Sequence, residues 1–279
     1  MQQLTIRTFG ETDVRINEVS VKWRSDSARV LFLYLLSHPN GRSRQQIIDT
    51  LWHTDPDVNA SGRFRVVVYR LRAALQSHGA VLEDHSQYRL EPAILNVCDA
   101  HLFTVAVEQA RQTPSNEAKR WLYELALEWY RGDYLPDEAE DWAVTARAQH
   151  RTTAARASLE LAMLQRECGA CAASLGALEA ALELDPLIGE DHHQQLMLCL
   201  STVRGKYAAV EHYRRYASFL RSDLGDTPML ETTALAGRIK NGVSPCVCPL
   251  AGQLIHSDPL ESNVLSCHSA ARLEGAQIR

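Results

Sequence analysis

Residues 58–82 form a run of 25 positions without an aspartate or glutamate, and within it stand Arg63, Arg65, Arg70 and Arg72. A guanidinium is a permanently charged fork of N–H donors that matches phosphate oxygens and the O6/N7 edge of guanine. Four arginines on one helix could be a solvated face. Such faces normally mix signs to limit self-repulsion, so an acid-free run favours a polyanionic partner. The other reactive clusters carry less. Cys168-Gly-Ala-Cys171 has the spacing of a redox or zinc half-site, with no second pair at zinc-ribbon distance and no preceding strand. Cys246, Cys248, His256, Cys267 and His268 could be gathered into a ligand set, yet one residue between the first two cysteines is not a structural-zinc spacing. His53, His78, His85 and the Asp191-His192-His193 run have no nucleophile elbow, phosphate loop or paired metal motif beside them. Packed or solvated imidazoles are therefore expected, with no enzymatic activity, cofactor or metal.

The arginine run lies on a helix expected from about Ala60 to Gln76. At 100° per residue Phe64, Val68, Leu71 and Leu75 make a core stripe, and Arg63, Arg65, Val66, Tyr69, Arg70 and Arg72 take the opposite half. Two helices precede it. One spans Ser27 to Ser37, capped by Ser25 or Asp26; the other opens on the capping box Ser43-Arg-Gln-Gln46 and carries Ile47, Ile48, Leu51 and Trp52. Alternating residues over Leu4–Phe9, Val14–Ile16 and Val19–Val21 predict a small antiparallel sheet, and Ala80–Leu82 and Tyr88–Leu90 around Glu83–Gln87 predict a terminal hairpin. Sheet, three helices and hairpin together make a winged helix.

Charge partitions along the chain. The whole carries −5, which as an average argues against a nucleic-acid binder. Residues 1–97, however, hold 12 cations, 11 of them arginine, against 10 acids; residues 98–243 hold 15 against 21. In the acidic part, Gly169-Ala-Cys-Ala-Ala173 returns as Gly205-Lys-Tyr-Ala-Ala209 at an offset of 36, with Ala181 matched by Ala217 and Leu164 by Leu200. Such a period means stacked helical hairpins of the tetratricopeptide (TPR) kind, and it places Cys171 at the packing position of Tyr207. Residues 244–279, with three prolines and no periodicity, read as a loose tail. The longest apolar run, Val30 to Leu36, is 7 residues, far short of the roughly 18–20 that span a bilayer. With no basic-then-apolar start, and an odd cysteine count of 7, a soluble cytoplasmic protein with reduced thiols and no membrane partner is expected.

The segments Ser27–Leu36, Gly41–Trp52, Val68–Leu75 and Tyr88–Leu90 resemble the winged helix of response-regulator transcription factors. Followed by helices rather than joined to a receiver domain, the arrangement is similar to the antibiotic-regulatory-protein (SARP) type of bacterial transcriptional activators. Asp99–Phe103, Trp129–Asp133, the Trp142–His150 helix, Tyr213–Arg215 and Leu224–Pro228 resemble the bacterial transcriptional activator domain that follows the winged helix there. The fold class expected is mainly α with a small β component, divided into a winged helix-turn-helix at 1–97, a TPR-like domain at 98–243 and the tail at 244–279. The resemblance implies that the third helix enters the major groove of double-stranded promoter DNA, with Arg65, Val66 and Arg70 at base edges and Arg63, Tyr69 and Arg72 on phosphates. Arg70 is the best placed for a bidentate guanine contact. Arg89 would be the wing contact, although the acidic tip Glu83-Asp84 departs from the family pattern. The helical domain would support a homodimer on DNA and contact RNA polymerase, with Trp129, Tyr134 and Trp142 as either anchors for a partner or core. The competing expectation is a TPR-type adaptor whose winged helix does not read DNA.

Overall fold

The computed structural model describes residues 3–52 and 60–242; the expected tail with its cysteine and histidine set, and His53, lie outside them. Strands β1 (Leu4–Arg7), β2 (Asp13–Ile16) and β3 (Val19–Ser20) form an antiparallel sheet in that order. Leu4 pairs with Ile16 and Arg7 with Asp13, which turns Ile6, Val14 and Ile16 to the core. The β2–β3 link is a two-residue turn, Asn17-Glu18, with both φ values positive, the geometry that matches the twist of a hairpin.

Helix α1 (Asp26–Leu36) buries Leu31 to Leu36 without a break. The short strand β4 (Arg42–Ser43) leads into α2 (Arg44–Trp52). There the capping box forms as expected: Gln46 N donates to Ser43 Oγ (3.2 Å) and Ser43 N to Gln46 Oε1 (2.9 Å). Helix α3 (Ala60–Ala74) stops two residues before the sequence pattern suggests, because Gln76 adopts φ +52° and Ser77 N closes back onto Arg72 O. Strands β5 (Val81–Asp84) and β6 (Gln87–Leu90) complete a second sheet, ordered β4-β6-β5.

After a helical turn, α4 (Pro92–Leu95), come α5 (Asp99–Gln112), α6 (Asn116–Trp129), α7 (Asp141–Glu167), α8 (Cys171–Leu184), α9 (Glu190–Val203), α10 (Lys206–Phe219), a π-helical turn at Leu220–Leu224, and α11 (Leu230–Lys240). Residues 141–167 contain no glycine or proline, so the helix expected at Trp142–His150 continues as one 27-residue helix to Glu167. The repeats turn at Gly169 (φ +75°) and Gly205 (φ +87°), the two positions that the 36-residue offset aligns. Their packing differs at the aligned pair: Cys171 is buried, but Tyr207 is 81% exposed, with Lys206 over its ring, so the two do not fill one packing position. The chain is thus mainly α with a small β component, a winged helix followed by TPR-like helices. No helix among the described residues is long and apolar enough to cross a membrane.

One hydrophobic cluster runs from Ile6 to Leu164, across position 97/98. At the crossing, Asp99, the first residue of α5, accepts hydrogen bonds from Thr8 N, Thr8 Oγ1 and Phe9 N. Leu135 N donates to Thr8 O and Gly10 N to Asp133 O, so the end of the first sheet pairs with the α6–α7 connection. Gly10 (φ +76°) is required there, since a Cβ would sit 2.9 Å from Arg131 O. Phe9, 2% exposed, fills a cage of Phe103, Tyr130, Tyr134 and His150 with ring centroids 4.8 to 5.9 Å away. Replacing Phe9 with alanine should lower the unfolding free energy by about 3–5 kcal/mol in chemical denaturation, the range for a buried aromatic.

Burial holds His150 neutral, its pKa pushed down to about 4 from the usual 6.5. The folded state then binds fewer protons than the unfolded chain between those values. This contribution is complete above about pH 6.5 and is lost as pH falls towards 4. Melting temperatures recorded from pH 7 down to about pH 4.5 should therefore fall, and His150→Phe, which keeps an aromatic ring in the cage, should flatten that slope.

Candidate nucleic-acid interface

The inward face of α3 packs Phe64, Val67, Val68 and Leu71 into the core, with Leu75 buried just past its end. Helical geometry then turns the other side out: Arg63, Arg65 and Arg70 are exposed, as are Tyr69 (69%) and Val66 (47%). Two apolar rings hold the helix against its neighbours. Trp52 of α2 lies 6.3 Å from the Phe64 ring, and Tyr88 of β6 lies 4.8 Å from it on an edge.

The six expected helix contacts are not equally free. The Arg63 guanidinium sits 5.0 Å over the Trp52 ring, a cation–π contact that fixes its direction while leaving its N–H edge outward. Arg65 and Arg70 make no ion pair with any described residue. Arg72 is half-buried and donates through Nη2 to Val81 O at 2.7 Å, which ties α3 to β5. Its Nε is buried without a partner. Arg89, on β6, is half-buried opposite Leu82.

The hairpin that carries Arg89 is tighter than the sequence suggests. The expected five-residue loop shrinks to a two-residue turn, His85-Ser86, with φ +47° and +64° and no glycine. Its acids are partly occupied. Asp84 pairs with His85 at 2.6 Å, both exposed. Glu83 stands directly across from Tyr88, and burial, together with the hydrogen bond to Glu83, raises the Tyr88 phenol above its usual range, while Arg44 and Arg65 oppose the rise. Arg44, exposed at the first position of α2, thus belongs to the same surface. No local pattern marks it, since it is the β4–β6 pairing, with Arg42 opposite Tyr88, that brings the start of α2 near that phenol.

Residues 98–240 match the bacterial transcriptional activator domain family. The chain belongs to that family. The likeness to that domain read from the sequence thus holds over residues 98–240. Comparison with curated proteins gives no match. Among solved structures it is similar to Mycobacterium tuberculosis EmbR, determined in complex with a low affinity phosphopeptide, at a TM-score of 0.68 and 24% identity. That likeness is one of fold, covering 87% of this chain and 66% of the EmbR chain.

Elsewhere in the described residues the remaining candidates settle into packing. Tyr134 is 1% exposed, Trp142 lies edge-on to Tyr34 at 5.4 Å, and Trp129 packs half-buried on the core, so none is an exposed anchor. His193 Nδ1 meets His212 Nε2 at 3.1 Å over a stacked Tyr216, and burial pushes both imidazoles down to about 4. No group of three or more His, Cys, Asp or Glu among the described residues could hold a metal ion. The tether from Arg72 gives a direct check on how the hairpin is held. Arg72→Ala should cost about 1–3 kcal/mol, and backbone amides of residues 81–90 should exchange with deuterium faster than those of α1.

Proposed function

We propose that this activator binds double-stranded promoter DNA by laying the outward face of α3 in the major groove and recruits RNA polymerase through its helical domain. The observation that carries the reading is the face itself: three exposed arginines interleaved with Val66 and Tyr69, on a helix whose other side is locked in the core, within an acid-free run of the chain. A major groove about 12 Å wide admits one helix, and direct base contacts need side chains whose backbone is held rigidly. In this reading Arg65, Val66 and Arg70 meet base edges, with Arg70 on guanine, while Arg63 and Tyr69 hold phosphates. Arg72 acts through its bond to Val81, setting the hairpin beside the groove, and Arg89 reaches the neighbouring backbone from the hairpin. Two protomers on direct repeats would present two such helices on one face of the duplex. The acidic helical part lowers affinity for DNA at large, which leaves the specific contacts to decide occupancy.

The test separates reading from holding. Arg70→Ala should flatten the ratio of affinities for a selected and a scrambled duplex, by about 1–3 kcal/mol of lost discrimination. Arg63→Ala should weaken both duplexes alike and reduce the salt slope by about 0.9. Fluorescence anisotropy across a salt series reads both effects, and an unchanged profile for the Arg63→Ala/Arg70→Ala double variant would refute the assignment.

A further inference from the structure

The later turns of α3 face a second basic element that the reading above does not use. Tyr69, Arg70 and Ala73 form one wall of a cleft of about 770 Å³, and Lys22, Trp23 and Arg24, on the segment between β3 and α1, form another. No aspartate or glutamate lines it. Of the carboxylates on the flanking elements, Asp13 is engaged by Arg15 Nε at 2.5 Å and Ser20 Oγ at 3.0 Å and Asp26 by Arg29 Nε at 2.9 Å, while Glu18 stands exposed in the β2–β3 turn, outside the cleft lining. Lys22 and Arg24 are exposed and make no ion pair with a described residue.

The segment that carries them is pinned at both sides. Val21 N donates to Val14 O at 2.8 Å, and the half-buried Trp23 ring packs 5.4 Å from Phe32 of α1. Trp23 is anchored inward on Phe32, and its neighbours Lys22 and Arg24 stand exposed on either side of it. These are cations set in place by the fold rather than free on a loop, which lowers the entropy lost when a partner binds them.

We propose that this cleft takes the sugar-phosphate backbone of duplex DNA, with Lys22 and Arg24 each neutralising one phosphate beside the groove occupied by α3. The inference rests on the reading of α3 as the DNA-contacting helix, because Tyr69 and Arg70 belong to both surfaces. Continuity with that face favours DNA over the other anionic occupant in view, the hairpin tip Glu83-Asp84 of a second copy.

The experiment uses the full chain, a selected duplex and a scrambled duplex, each titrated from low to moderate salt. Lys22→Gln/Arg24→Gln should weaken both duplexes by similar factors, leave their ratio unchanged, and reduce the slope of log K against log salt by about 1.8, close to 0.9 per phosphate. Lys22→Glu/Arg24→Glu should weaken both further, and unchanged melting temperatures would show that the variants fold. A slope equal to that of the unaltered protein overturns the proposal. So does a variant that binds a single site normally and loses only cooperativity between adjacent sites, which would assign the cleft to a second copy. If the unaltered protein binds neither duplex, the reading of α3 itself has failed, a result distinct from an unaltered slope.

Discussion

The carboxylate of Asp99 gathers Thr8 N, Thr8 Oγ1 and Phe9 N onto the first turn of α5, and the rest of the architecture is arranged around that junction. An acid at the start of a helix is favoured by the unpaired amides there, and Asp99 also accepts from Ala100 N at 2.8 Å. One side chain therefore joins the first turn of α5 to the chain just past β1. Around it the 133–138 connection is held from two sides. Arg147 donates to the carbonyls of Tyr134, Leu135 and Glu138, and Glu138 in turn meets Arg29 of α1. Leu135 keeps φ +44° there, a conformation that non-glycine residues adopt only when their surroundings impose it.

The junction bears on α3 because, apart from the Arg72 tether to β5, that helix is held by the packing behind it. Its inward residues belong to the same cluster as Phe9 and Phe103, so the orientation of its outward arginines is coupled to the helical repeats. The second cluster, built from α7 to α11, includes no residue of the winged helix. Contacts made by α9 to α11 meet the cluster that holds α3 by way of α7 and α8, where Ala177 packs against both clusters. The charge division follows the same line, with the arginine-rich module on one side of the junction and the acidic repeats on the other. A net charge of −5 averages over an arginine-rich module and acidic repeats.

Much of this was legible in the sequence, for local reasons. The 3.6-residue period of α3 needs only its own side chains to separate core from surface, and every residue of the expected stripe is buried. The Ser43/Gln46 box and the glycines at 169 and 205 are likewise signals contained within a few residues. What stayed hidden depends on contacts distant in the chain. Arg72 sits on the outward half of a helical wheel, yet the hairpin nine residues on claims its guanidinium. Tyr207 aligns with a buried position and stands exposed. The pairing of Gly10 with Gly132, whose Cβ would come within 3.0 Å of Gly10 Cα, joins segments that no periodicity connects. Lys22 and Arg24 look like ordinary loop cations until Trp23, between them, is seen to pack on Phe32.

The central claim is that the outward face of α3, held by this junction, reads a DNA sequence. Selection from a pool of randomised duplexes by the full chain, followed by sequencing of the bound fraction, tests it most directly. The account predicts enrichment of guanine-containing direct repeats whose centres lie about one helical turn, roughly 10–10.5 base pairs, or a multiple of it apart. Recovery of a bound pool with no sequence preference, or no retention of duplex at low salt, would contradict it.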